Sequence, residues 1–166
     1  MAATGGLRGT GGLTGTGGAT GADGARYNFE TSTQGWVGMT TSSGIFTSVS
    51  TSTTQHFAGS RSLAGVIAAG SALTYDVGVV PPSIPVGTTI TFHVFLPQGA
   101  LFNWIQPYVQ YSTGFIGNYV GAPVTGSWIT VTVVVPTQAV TITQIGVQFN
   151  TAGAWNGTVY VDSVNF

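Results

Sequence analysis

The stretch Thr88-Thr89-Ile90-Thr91-Phe92-His93-Val94-Phe95-Leu96 alternates with a period of two. Ile90, Phe92, Val94 and Leu96 fall on one face, Thr91, His93 and Phe95 on the other. That is the pattern of a β-strand with one face against a core. Residues 128–135 repeat it, with Ile129, Val131, Val133 and Val135 opposite Trp128, Thr130 and Thr132. Outward from these two, β-branched and aromatic runs divided by Gly, Pro, Asn and Ser predict strands over 26–30, 35–39, 44–50, 62–68, 71–77, 104–111, 140–149 and 157–164. No segment carries helical periodicity. Many short strands, turn signals between them and no helix predict an all-β fold: a two-sheet antiparallel β-sandwich of the jelly-roll kind.

Residues 1–24 have a different texture. Thr-Gly-Gly followed by Leu or Ala recurs at Thr4, Thr10 and Thr16. Such a segment cannot bury enough apolar surface to offset its backbone entropy, so a disordered, flexible Gly/Thr-rich linker is expected there, with the sandwich domain over 25–166. Met1 is followed by neither a basic nor an apolar region, so the start is read as a boundary within a longer polypeptide rather than a signal peptide.

Formal charge is confined to Arg8, Arg26, Arg61, Asp23, Glu30, Asp76 and Asp162, for a net charge of -1. A basic footprint for nucleic acid and a polybasic handle for anionic lipid are both missing. No apolar run approaches the roughly 18 residues of a membrane span. The absence of cysteine excludes disulfides, thiol catalysis and thiolate metal sites. Solubility must come from Thr, Ser, Asn and Gln, a surface suited to a neutral, hydroxyl-rich partner.

The chemistry is concentrated in Phe102-Asn103-Trp104-Ile105-Gln106-Pro107-Tyr108-Val109-Gln110-Tyr111. Period two puts Trp104, Gln106, Tyr108 and Gln110 on one face and Ile105, Pro107 and Val109 on the other. The second face reads as core. Glutamine amides would lack partners in an apolar core, so the first face is either exposed or lines a groove. An aromatic ring stacks on the C–H patch of a pyranose, and amides serve its hydroxyls as donors and acceptors. This alternation therefore matches a sugar surface, with Trp104 and Tyr108 stacking on different sugars of one extended glycan. His93 with Phe95, and Gln148 with Asn150, add similar groups on strands expected to be neighbours. Tyr111 and Trp155 are further candidates. Trp36 and Trp128 read as packing residues. The competing reading is an ordinary polar outer face carrying one exposed tryptophan.

Glycoside hydrolysis of the usual kind needs two facing carboxylates about 5–10 Å apart. The folded region offers Glu30, Asp76 and Asp162, and the first and last of these read as holding a metal or capping sheet edges. No Ser-His-Asp spacing, metal-ligand histidine cluster or phosphate loop stands out in the sequence. A non-catalytic domain is expected.

Five segments in order carry a family resemblance: Tyr27-Asn28-Phe29-Glu30, Gly35-Trp36, Gly59-Ser60-Arg61-Ser62-Leu63, Trp128, and Gly157-Thr158-Val159-Tyr160-Val161-Asp162-Ser163-Val164. The chain from about residue 27 resembles the β-jelly-roll carbohydrate-binding modules appended to secreted bacterial glycoside hydrolases. The resemblance implies two antiparallel sheets with polysaccharide or oligosaccharide on the concave face or in a cleft, and a covalently linked catalytic domain beyond the linker. It also implies secretion, a monomer, and a structural calcium whose side-chain ligands match Glu30 and Asp162. Calcium takes six to eight oxygens, so backbone carbonyls would complete the shell. The alternative function is a structural or adhesive β-sandwich of a bacterial cell-surface protein making protein contacts.

Overall fold

The computed structural model describes residues 24–139 and 141–166. The linker expected over 1–24 lies outside the described residues, apart from Gly24. The strands are β1 (Val37–Gly38), β2 (Ser48–Ser52), β3 (Ser62–Ala69), β4 (Thr74–Val79), β5 (Thr89–Phe95) and β6 (Phe102–Tyr111). They continue with β7 (Gly114–Gly117), β8 (Val120–Gly121), β9 (Trp128–Val134), β10 (Ile142–Thr151) and β11 (Trp155–Asn165). Two sheets result. One runs β1-β4-β10-β6-β7 with β8 also paired to β6, and the other runs β2-β3-β11-β5-β9. Every pairing is antiparallel. The expected all-β sandwich is the fold observed.

Alternation decides which residues meet between the sheets. Ile90, Phe92, Val94 and Leu96 are all fully buried, as the opening stretch requires. From the other sheet come Tyr75, Val77 and Val79 of β4, Ile105 and Val109 of β6, and Ile145, Val147 and Phe149 of β10. Trp36 joins them, its ring meeting Tyr27, Phe29 and Phe92 edge to face at 5.7, 5.7 and 6.4 Å. Its role as a packing residue agrees with the sequence reading.

Two local departures have physical causes. The strand expected over 26–30 shrinks to one bridge, Tyr27 to Val164. The Gln34 Oε1 accepts the N–H groups of Asn28 and Phe29 at 2.9 Å each, so a side chain takes donors that a ladder would need. Phe29 then turns to a φ of 57°. The short strands β7 and β8 were not expected, because Gly114, Gly117 and Gly121 make the sequence read as turn; they pair along the free side of β6.

Phe92 sits against Trp36 with no exposed surface. Phe92→Ala should cost about 3–5 kcal/mol of stability through lost contact and the cavity left behind. Chemical denaturation with an unchanged m-value is the check.

Candidate functional site

The register of β4, β10 and β6 builds one face residue by residue. Gln148 lies opposite both Asp76 and Gln106, so these three side chains form a row across three adjacent strands. On one side the next row is Thr74, Asn150, Trp104 and Gly121; on the other it is Gly78, Gly146, Tyr108 and Gly117. The intervening residues point into the core, so all of these point outward. The face expected from the alternation of β6 exists, and Gln148 and Asn150 lie on it as expected.

Tyr108 behaves differently from the expectation. Its ring lies across β10 toward β4, in space that only glycines leave open. A Cβ at Gly146 would come within 2.6 Å of the Tyr108 hydroxyl, and one at Gly78 within 2.8 Å. The hydroxyl donates to Asp76 Oδ1 at 2.9 Å and accepts from Gln144 Nε2. Phe115 covers the ring from β7, with centroids 5.2 Å apart and planes 24° from parallel. Tyr108 is 1% exposed and Phe115 46%. Stacking of Tyr108 itself on a sugar is therefore corrected: its ring is already covered, and Phe115 presents the accessible aromatic surface. At the other end Trp104 is half-buried and meets the exposed Tyr119 edge to face at 5.0 Å.

Gln106 lies between these two aromatic pairs. Trp104 and Tyr108 are four residues apart on β6, about 13 Å, with Gln106 midway. Its side chain rests on Gly117, where a Cβ would approach its Cδ to 2.6 Å. Gln106 is 4% exposed, yet among the described residues no protein group hydrogen-bonds its amide. Among the described residues the buried side-chain polar atom without a partner is Trp36 Nε1, so the Gln106 amide still reaches solvent and is open to a ligand.

Asp76 closes the row. Gln148 Nε2 donates to its Oδ2 at 3.4 Å. Burial pushes the carboxyl up to about 6 from its ordinary 3.8, against the opposing pull of the donors on Tyr108 and Gln148. Burial, with the Asp76 charge beside it, also holds the Tyr108 phenol well above its usual range, so the phenol stays protonated.

The remaining candidates separate. Gln110 is exposed on the same face, opposite Gln144 and Phe115. Asn150 donates to Thr74 Oγ1 at 3.0 Å and accepts from Asn103 Nδ2 at 2.8 Å, so its amide is engaged. His93 is not a neighbour: β5 belongs to the other sheet, where the His93 ring stacks on Phe57 at 3.6 Å and Nδ1 donates to the Ser163 carbonyl at 3.2 Å. Alternation along one strand fixes its faces but not which sheet the strand joins. Tyr111 has the opposite parity to Tyr108 and packs into the core. Trp155 packs against Phe102 at 5.0 Å at the margin of the core, away from the row. Phe115, Tyr119, Gln144 and Asp76 are the residues of this face that the reading of β6 did not assign to it.

Glu30 and Asp162 converge on one loop. Glu30 Oε1 accepts the N–H groups of Ser60 and Arg61 at 2.8 and 3.0 Å, and Oε2 accepts the Ser60 hydroxyl at 2.6 Å. Burial opposes the charge, but these donors outweigh it and hold the Glu30 carboxyl below its usual range. Asp162, fully buried, accepts from Phe57 and Ala58 at 2.7 and 3.2 Å and from Ser163 at 2.7 Å. Both carboxylates thus serve as acceptors for one loop, and no third acid or histidine joins them among the described residues.

The sandwich is the β-jelly-roll fold of carbohydrate-binding modules, as the order of sequence segments suggested. A solved structure concerned with promiscuous specificity in carbohydrate-binding modules of the β-sandwich superfamily is similar at 28% identity and a TM-score of 0.76, covering 89% of this chain and 62% of that one. The chain thus spans less than two thirds of that relative. A carbohydrate-binding module described for specific mannan recognition superposes with a TM-score of 0.59 at 12% identity, covering 79% and 86% of the two chains. A xylan-binding domain does so with a TM-score of 0.56 at 18% identity, covering 86% and 94%. At these lower identities the likeness is one of fold. No known family matches the chain by sequence, and no curated protein does.

A carboxyl that ionises near pH 6 in the fold, rather than at 3.8, binds its proton more tightly folded than unfolded. Its stabilising contribution is complete below pH 3.8 and is lost as pH rises through about 6. Asp76→Asn should remove this fall and stabilise the domain at pH 7 by up to roughly 3 kcal/mol. Denaturation curves of both proteins at pH 4 and pH 7 are the check.

Proposed function

We propose that this chain is a non-catalytic carbohydrate-binding module whose site is the outer face of the β4-β10-β6 sheet. The observation that supports the reading is the Gln106 amide: it reaches solvent at the tip of a mostly buried side chain, has no protein hydrogen-bond partner among the described residues, and is flanked by aromatic pairs. Sugar hydroxyls are the partners such an amide lacks, and the rings of Trp104 and Phe115 offer flat apolar walls to sugar C–H groups. The glycan then runs across the strands, along the row Asp76, Gln148 and Gln106, rather than along β6. Gln110 and Asn150 border it. The ligand class is a neutral β-linked plant polysaccharide: β-glucan or cellulose, mannan, or xylan. The neighbours named for mannan and xylan support that class.

The absence of catalysis is supported by where the carboxylates lie. Glu30 and Asp162 hold a loop through amide donors, and Asp76 is on the opposite sheet. In the whole protein the module is proposed to be secreted, monomeric, and joined through residues 1–24 to a glycoside hydrolase. The tether would keep that enzyme at high effective concentration on its substrate. Calcium is proposed between Glu30 and Asp162, sharing the carboxylates with the amides already there and completed by loop carbonyls.

Trp104→Ala should weaken oligosaccharide binding by about 2 kcal/mol or more, and Gln106→Ala by about 0.5–1.5 kcal/mol, with both domains still folded. Retardation gels against purified polysaccharides, followed by calorimetry and thermal melts, test this. Normal binding by both variants would remove the site from this face. For calcium, a chelator should lower the melting temperature while glycan affinity stays nearly unchanged. Identical melts with and without chelator would refute the ion.

A further inference from the structure

The hydrogen bonds of this face have a direction, and one residue sets it. Asp76 collects the Tyr108 O–H on Oδ1 and the Gln148 N–H on Oδ2. With its proton given to Asp76, the Tyr108 oxygen accepts from Gln144. An amide that turns its nitrogen toward an acceptor turns its carbonyl away from it. Gln148 and Gln144 therefore both hold their nitrogens toward the Asp76–Tyr108 pair and their oxygens away from it. An ionised carboxylate can only accept, which makes this the one arrangement without an acceptor facing an acceptor.

We propose that Asp76 is a positioning residue that fixes the hydrogen-bond polarity of the glycan floor: it holds Gln148, and through Tyr108 also Gln144, with amide oxygens turned to the ligand, so that the floor accepts bonds from sugar hydroxyls and loses this polarity when Asp76 gains a proton. The inference rests on the glycan-binding reading of the same face. With the Tyr108 O–H still donated to Oδ1, the new proton of Asp76 sits on Oδ2. The Gln148 oxygen accepts it once that amide rotates by half a turn, which presents N–H groups to the ligand in place of the carbonyl. Asp76→Asn imposes the same reversal at every pH, because the new amide nitrogen faces Gln148.

The titration belongs to this residue. Tyr108 from β6 is the titratable group against Asp76 among the described residues; Gln148 and Gln144 from β10 carry no charge, and Met39, just after β1, donates its N–H to the Asp76 carbonyl. Tyr108 keeps its proton throughout the range concerned. Burial brings the Asp76 carboxyl to about 6, so the switch falls at mildly acidic pH.

The test is calorimetry with cellohexaose, mannohexaose and xylohexaose from pH 4.5 to 7.5. It is run on the wild type and on Asp76→Asn, with side-chain amide ¹⁵N spectra of the unliganded wild type alongside. The expected result is a roughly three- to tenfold loss of wild-type affinity as pH falls through about 6, the worth of about one hydrogen bond. Asp76→Asn should bind weakly with no pH profile, and the Gln148 amide should titrate with the same midpoint as the wild-type affinity. Wild-type affinity that is flat with pH, or a Gln148 amide that does not titrate, would overturn the role of Asp76 and leave the glycan site standing. The spectra decide the matter even if the variant fails to fold. Binding of none of the three sugars at any pH would overturn the glycan reading itself, and the role of Asp76 with it.

Discussion

A carboxylate taken out of water without a cation beside it has to be surrounded by donors. Asp76 is 6% exposed, and among the described residues its side chain is met by a phenol and an amide rather than by Arg. That constraint arranges the rest of the face. It draws Tyr108 flat across β10, which requires glycine at positions 146 and 78. The flattened ring gives Phe115 a surface to stack on, and Phe115 becomes the accessible wall. Gln144 and Gln148 take their orientation from the same charge. The candidate face is thus built largely from neutral side chains, with one buried charge giving it direction.

The two sheets divide the work. Strong alternation on β5, β9 and β10 commits one face of each strand to the core, where Phe92 meets Trp36 and Phe149 meets Phe46 and Phe102. Rigidity of that core holds the outer rows in register, and the register sets the distances between Gln106, Gln148 and Asp76. The other sheet has an outer aromatic group of its own, Phe57, His93, Phe95, Trp128 and Tyr160, but those rings pack on one another. Phe57 brings with it the loop that Asp162 and Glu30 grip, so this group anchors the loop between β2 and β3.

The fold was legible because it follows from period-two alternation, a local property. Ile90 through Leu96 placed a strand and its inward face without any knowledge of partners. The site was legible only in part, for the same reason. Trp104, Gln106, Gln110, Gln148 and Asn150 share a face because parity on two strands was read correctly and the strands are neighbours. His93 has suitable chemistry and the right parity but belongs to the other sheet; pairing order depends on contacts far apart in sequence. Tyr108 was placed on the correct face, yet its burial depends on glycines of other strands and on Phe115, none of which its own strand reveals. Phe115 and Tyr119 lie in a stretch whose glycines resemble a turn. Asp76 stood out only as an isolated acid, and its role depends on Tyr108 and Gln148 reaching it across two strands.

The proposed site places a glycan across β6, β10 and β4 on the row of Gln106, Gln148 and Asp76. Chemical-shift mapping of the labelled domain, titrated with a soluble oligosaccharide that the gels retain best, tests it most directly. With a glycan on that row, the side-chain amides of Gln106 and Gln148 and the indole of Trp104 shift together with one saturation curve, while His93, Tyr160 and Trp128 stay still. Shifts confined to the Phe57–Trp128 face, or to the loops at the ends of the sandwich, would contradict it.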